Sequence, residues 1–143
     1  MDIKGKTIVI TGGGQGLGRA MAVYLAGSGA CLALIDLSAE KLAETAGLCR
    51  AAGGSAHTYL ANVAREEEVV ATFERIVADT GAVHGLINNA GILRDGLMIK
   101  VKDGKIEKRM SLAEWQAVID VNLTGVFLCG REAAERMIRL GHG

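Results

Sequence analysis

A chain of 143 residues suits one compact domain with a single core, and 50% hydrophobic against 22% charged residues excludes a disordered polymer. Sixteen basic and sixteen acidic side chains cancel to a formal net charge of 0, which removes any electrostatic case for a nucleic acid or an anionic membrane as partner. Twenty glycines and no proline point to tight turns between regular elements, not to a linker or a fibrous repeat.

Cys31, Cys49 and Cys129 are odd in number and widely spaced, so they read as buried or incidental thiols in a reducing compartment, with no disulfide framework and no metal site. The start, Met1-Asp2-Ile3-Lys4-Gly5-Lys6, lacks the apolar core of a secretion signal, and no apolar run reaches membrane-spanning length. A soluble, cytoplasmic protein is expected.

In chain order, an apolar strand over Lys6 to Thr11 empties into the glycine-rich run Gly12-Gly13-Gly14-Gln15-Gly16-Leu17-Gly18, and a helix follows from Gly16 to Ser28. A second strand, Cys31 to Asp36, precedes a helix beginning near Ser38. A third, Ser55 to Leu60, leads through Asn62-Val63 to a helix over Glu66 to Asp79, and a fourth, Val83 to Asn88, ends in Asn88-Asn89-Ala90-Gly91. Four strands alternating with helices predict a Rossmann-type α/β fold, a parallel sheet with helices on both faces, and right-handed crossovers gather the strand ends on one edge.

From Arg94 to Arg109 the chain turns basic, and Asp103-Gly104 between alternating apolar and polar residues signals a hairpin. A solvated ribbon with one charged face is the plain reading; a substrate lid or a subunit contact are the alternatives. Ser111-Leu112-Ala113-Glu114 is a capping box that opens a long helix, on which Trp115, Val118, Ile119, Val121, Leu123, Val126, Phe127 and Leu128 supply a broad apolar surface. Following sequence or a partner is expected to cover that surface.

The glycine turn carries the first functional signal. Main-chain N–H groups and the positive end of a helix favour a pyrophosphate, and a carboxylate at the end of the next strand, Asp36, can accept hydrogen bonds from a ribose diol. Together they predict a dinucleotide, although Gly12-x-x-x-Gly16-x-Gly18 is not the G-x-G-x-x-G spacing and much of the case rests on the strand before and the helix after. On the same rim, the Asn62 amide and the Val63 main chain are placed for an adenine edge. Asn89, Ala90 and Gly91 can lie against a ribose or a flat ring. Each of these taken alone is also an ordinary turn residue.

Three motifs make a resemblance specific: Thr11-Gly12-Gly13-Gly14-Gln15-Gly16-Leu17-Gly18, Asn88-Asn89-Ala90-Gly91 and Asp120-Val121-Asn122-Leu123-Thr124-Gly125-Val126-Phe127. In that order they resemble the N-terminal part of a short-chain dehydrogenase/reductase, similar to 3-oxoacyl-carrier-protein reductases and related alcohol dehydrogenases. The resemblance implies that residues 1–143 are the N-terminal part of a single dinucleotide-binding domain, truncated after the fourth strand and the long active-site helix. It implies that Gly12, Gly14, Gln15, Gly16 and Leu17 line the pyrophosphate and adjacent ribose, Asp36 and Leu37 receive the adenosine, Asn62 and Val63 meet the adenine, and Asn89, Ala90 and Gly91 flank the middle of the cofactor. Asn122 corresponds to the family's active-site Asn, which holds a water of the proton relay and places a catalytic Lys. Two departures stand out: many members carry Asp where this chain has Asn62, and the Arg94 to Arg109 ribbon is longer than the usual connection.

The family's Ser, Tyr and Lys are expected beyond the point corresponding to Gly143. Tyr24 and Tyr59 cannot inherit the Tyr role, because neither has a Lys four residues later. His57, His84 and His142 have no nucleophile or ligand pattern beside them. The leading expectation is an NAD-dependent oxidoreductase interconverting a secondary alcohol and a ketone, a homodimer or homotetramer in complete form, with residues 1–143 alone inactive. Asp36 favours NAD over NADP by repelling a 2′-phosphate, and Arg19 is placed to soften that exclusion. The alternatives are an NADPH-dependent 3-oxoacyl thioester reductase and a noncatalytic nucleotide-binding or assembly module.

Overall fold

The computed structural model describes residues 2–141. Its sheet contains β1 (Thr7–Thr11), β2 (Cys31–Asp36), β3 (Ser55–Leu60) and β4 (Gly85–Ile87) in the spatial order β3-β2-β1-β4, and every neighbouring pair is parallel. The strands alternate with α1 (Gly16–Gly27), α2 (Ala39–Ala51) and α3 (Glu66–Thr80). This is the expected Rossmann-type arrangement, and it places the switch in strand order between β1 and β4, where open parallel sheets hold their ligands.

Alternation along the strands divides the core into two layers. Val9, Ala33, Ile35 and Tyr59 face Phe73 and Ile76 of α3 together with Leu128, Cys129 and Ala133 further along. Ile10, Leu32 and Leu34 face Ala22 and Ala26 of α1 and Leu42, Ala46 and Cys49 of α2. Burial on both sides explains why β1 and β2 read as near-continuous apolar runs. The helix ends follow from local chemistry: Ser38 caps α2 by accepting from the Lys41 N–H at 3.3 Å, Glu66, Glu67 and Glu68 meet the positive end of α3, and Gly81 closes α3 at φ 74°.

Five boundaries differ from expectation. The first strand begins at Thr7, α1 ends at Gly27 and α3 extends to Thr80, each a shift of a single residue. The fourth strand is shorter, because the Thr7 N–H donates to the His84 imidazole Nδ1 at 3.0 Å and regular pairing with β1 begins only at Gly85. At its other end Asn88 and Asn89 leave the ladder for partners described below. His84 thus anchors the sheet edge, a role its sequence surroundings do not signal; His142 lies outside the described residues.

The basic segment is a separate two-stranded ribbon, β5 (Ile99–Lys102) against β6 (Lys105–Arg109), turned by Asp103 at φ 48° and Gly104 at φ 70°. Beyond it, the expected single long helix is three pieces: α4 (Leu112–Ile119), a π-helical turn at Asp120–Thr124, and α5 (Gly125–Arg139). The interruption coincides with Asn122, whose side chain bonds outside the helix. Within the described residues much of the apolar surface here is uncovered, with Trp115 56%, Leu123 63% and Phe127 61% exposed. No helix among the described residues is long and apolar enough to cross a membrane.

The capping box of α4 is formed in full, and Glu114 also receives Lys108 Nζ at 2.8 Å, so one carboxylate fastens the ribbon to the helix. The Lys108 hydrogen bond first, and the Ser111 main-chain and hydroxyl donors after it, hold the Glu114 carboxyl down at about 2 from a usual 4.5. Because the folded value is depressed, the stabilisation is complete above the unfolded value and disappears as pH falls from 4.5 through about 2. Fluorescence of Trp115, the single Trp, should report the ribbon loosening across that acid window. Glu114→Gln should show the loosened signal already at neutral pH and no transition in the acid window; a variant signal that superimposes on wild type would contradict the coupling.

Candidate functional site

A cavity of about 410 Å³ opens at the carboxyl ends of the strands. Four loops converge on it: Gly12 and Gln15 after β1, Asp36, Leu37 and Ser38 after β2, Ala61, Asn62 and Val63 after β3, and Asn89, Ala90, Gly91 and Ile92 after β4. Every predicted cofactor residue except Gly14, Gly16 and Leu17 lines this one space. Those three belong to the same turn, and the Leu17 side chain is 68% exposed.

The turn is built to exclude side chains. Gly12 stands at φ 66°, and a Cβ there would meet Asn89 Nδ2 at 2.9 Å. At Gly18 a Cβ would collide with the Gly12 carbonyl oxygen, so glycine is what lets α1 start beside the strand it leaves. No side chain caps the N-terminus of α1, where Gln15 occupies the cap position. Its first N–H groups therefore remain donors for an anion, and the surroundings fit a pyrophosphate.

Asp36 is tied into the turn from the neighbouring strand. Its Oδ2 accepts from the Gly14 N–H at 2.9 Å, and its Oδ1 accepts from the N–H groups of Leu37 at 2.8 Å and Ser38 at 3.3 Å. A carboxylate has about four acceptor positions, so this anchoring leaves capacity for a ribose hydroxyl. The Gly14 carbonyl is gripped from the other side by Arg19 Nη2 at 2.7 Å and Thr45 Oγ1 at 3.0 Å. Arg19 also pairs with Glu44 at 2.7 Å, so the guanidinium expected near a 2′-phosphate is instead committed to the back of the turn. The cation that lines the cavity is Lys41, whose Nζ donates to Gln15 Oε1.

Two asparagines hold the rim. Asn89 Nδ2 donates to the carbonyls of Thr11 at 3.2 Å and Gly12 at 3.1 Å, while Thr11 Oγ1 accepts from the N–H groups of Asn89 and Ala90, each at 3.0 Å. The Asn89 side chain is thus a strut between the ends of β4 and β1. Asn62 Oδ1 accepts from the Ala64 N–H at 3.0 Å, and its main-chain N–H donates to Glu68 at 2.8 Å, which leaves the amide Nδ2 as the group available to a ligand.

Asn122, the predicted catalytic residue, does not line the cavity but stands beside it, bonded to the lining residue Ile92. Its Oδ1 accepts from the Ile92 N–H at 2.8 Å and its Nδ2 donates to the Ile92 carbonyl at 2.9 Å. That paired grip pins the chain after Gly91 to the π turn, and the turn supplies the room. Thr11, Lys41 and Ile92 were not singled out from sequence: each becomes informative only when another strand end is brought beside it. Tyr59 lies in the core, where burial and then its hydrogen bond to Asp79 at 2.9 Å push its phenol far above the ordinary value. Tyr24 is 77% exposed on α1, so neither tyrosine serves the cavity. Burial likewise pushes the Cys129 thiol up to about 11. Among the described residues no cluster of His, Cys, Asp or Glu could hold a metal ion.

Comparison with known proteins agrees with this geometry. The chain is 36% identical over 140 residues to a 2,5-dichloro-2,5-cyclohexadiene-1,4-diol dehydrogenase of Sphingobium indicum, covering 98% of the chain and 52% of that protein. It is 32% identical over 143 residues to a 3-oxoacyl-acyl-carrier-protein reductase of Thermotoga maritima, covering 100% and 54%. An NAD+-bound xylitol dehydrogenase superposes with a TM-score of 0.85 at 31% identity, over 100% of this chain and 52% of that one. The chain spans about half the length of the relatives it matches. With the short chain dehydrogenase model matched over residues 6–143, the chain belongs to the short chain dehydrogenase family of oxidoreductases.

Proposed function

We propose that the chain is the cofactor-binding portion of an NAD-dependent oxidoreductase that interconverts a secondary alcohol and a ketone. The observation that carries this reading is Asp36, a carboxylate fixed against the glycine turn on the cavity wall. It accepts hydrogen bonds from a ribose diol and repels a phosphate on the same ribose. The uncapped end of α1 receives the pyrophosphate, the amide of Asn62 and the main chain of Val63 meet the adenine, and Asn89, Ala90 and Gly91 flank the central part. A bound nicotinamide supplies the hydride acceptor or donor. Asn122 holds Ile92 in place at that end and positions the reacting groups. We assign the proton transfer to the portion that the relatives possess and this chain does not span, so residues 1–143 alone bind nucleotide without turnover.

A second reading, NADP in a 3-oxoacyl thioester reductase, is favoured by Lys41 on the same wall and by the reductase among the relatives. The two readings separate in an equilibrium titration at fixed ionic strength. NAD should bind about tenfold or more tighter than NADP. Asp36→Arg should invert the order, since it removes the repulsion and adds a bidentate phosphate partner. Equal or tighter binding of NADP by the unaltered protein would replace the first reading with the second.

A further inference from the structure

The ribbon is amphipathic in an unusual sense. The cross-strand pairs Lys100 with Lys108 and Lys102 with Lys105 put four lysines on one face, while the pair Val101 with Ile106 and the residue Ile99 belong to the other. Like charges directly opposite each other weaken a two-stranded ribbon, and an isolated ribbon of two strands is marginal to begin with. Between Arg94 and Arg109 six basic residues stand against three acidic ones, an excess of three positive charges, so the rest of this net-neutral chain carries an excess of three negative charges.

The lysine face is turned toward α4. There a second groove, about 680 Å³, is walled by Arg94, Lys100 and Lys108 and floored by Leu97, Met110, Ala113 and Ala117. Its acidic members are Asp95 and Glu114. Glu114 is engaged by Lys108 and Ser111, and Lys100 is paired with Glu107 at 2.8 Å, whereas Arg94 makes no ion pair among the described residues. Ile92 lines the cofactor cavity and Arg94 lines the groove, and two residues of chain place them at most about 7 Å apart. The groove thus begins within two residues of the Ile92 end of the cofactor cavity, although the two have no lining residue in common.

We propose that this groove is a substrate subsite for a phosphate group carried on an apolar arm, so that the ketone or alcohol of the proposed reaction is a phosphorylated one. The Arg94 fork, which has no carboxylate partner among the described residues, matches phosphate oxygens, and a doubly charged anion competes with Glu107 and Glu114 for Lys100 and Lys108. The apolar floor accepts the arm. The inference rests on the oxidoreductase reading only for the word substrate; the phosphate site stands by itself.

Trp115 lies outside the groove's lining, so binding is read by calorimetry. With the protein saturated in NAD, hexyl phosphate, hexanoate and 1-hexanol are titrated and the heat of binding is followed. Hexyl phosphate should bind at least tenfold tighter than either analogue, and inorganic phosphate should compete. Arg94→Gln should weaken hexyl phosphate about tenfold with Arg94→Lys recovering part of the loss, and Arg94→Gln combined with Lys100→Gln should erase the preference. Equal binding of the three probes, or an unaltered preference in the double variant, would overturn the proposal. The NAD affinity measured in the same samples keeps the two readings apart: normal NAD binding with no phosphate preference sinks the groove alone, and phosphate preference without NAD binding sinks the cofactor reading alone.

Discussion

Gly18→Ala is expected to lower stability by about 3 kcal/mol and to remove nucleotide binding, although it adds a single methyl group. The new Cβ would stand against the Gly12 carbonyl oxygen, with Asn89 Nδ2 at 2.7 Å and the Gly12 carbonyl carbon at 2.9 Å. Backbone cannot yield as a flexible side chain does. Relief requires α1 to withdraw from the turn, and withdrawal separates the Asn89 strut from the carbonyls of Thr11 and Gly12. Thermal denaturation should register a fall of roughly 10 °C. Gly47→Ala is the control: it lies in the middle of α2 with nothing within 4 Å of the added Cβ, so the helix should gain about 0.5–1 kcal/mol. A Gly18→Ala protein that melts and binds nucleotide as before would show that the close approach at this turn has no functional weight.

Asn122→Ala in the complete enzyme should reduce turnover about 100-fold while nucleotide affinity changes by no more than about threefold. Both hydrogen-bonding ends of this side chain are spent on Ile92, two residues before the ribbon's Arg94 and one after the cavity residue Gly91. Losing them frees the segment that closes the far end of the cavity, and a displacement of about 1 Å there is enough to spoil a near-attack geometry. The stability cost should stay near 1–2 kcal/mol, since each bond contributes about 1 kcal/mol and the Ile92 groups can turn to water. Asn122→Asp keeps the acceptor for the Ile92 N–H but sets a carboxylate against the Ile92 carbonyl, so it should rescue little. Unchanged turnover in a folded, nucleotide-saturated Asn122→Ala protein would remove the residue from the mechanism.

Much of this architecture is legible in the residues because the informative features are local. β2 and β3 begin and end where apolar periodicity and flanking turn residues place them, and Ser111 with Glu114 announces the start of α4. What escapes is set by contacts between distant segments. The shortened β4 depends on His84 meeting Thr7, and the role of Asn89 depends on the end of β1 lying beside it. The π turn at Asp120–Thr124 is invisible to a helical periodicity, since its cause is a side chain reaching thirty residues back to Ile92. Arg19 reads as a free cation next to the glycine run, yet Glu44 and Thr45 of α2 claim it, and Lys41 takes the place on the cavity wall.

The most direct test of the account is a calorimetric titration with NADH, ADP-ribose and nicotinamide mononucleotide, repeated with Asp36→Ala. The proposed assignment gives the turn, Asp36, Asn62 and Val63 to the adenosine and pyrophosphate part, so ADP-ribose should retain most of the NADH affinity and compete with it. Nicotinamide mononucleotide should bind far more weakly, and Asp36→Ala should cost both NADH and ADP-ribose about tenfold. Absence of saturable NADH binding, or ADP-ribose binding that Asp36→Ala leaves untouched, would contradict the assignment of this cavity to a dinucleotide.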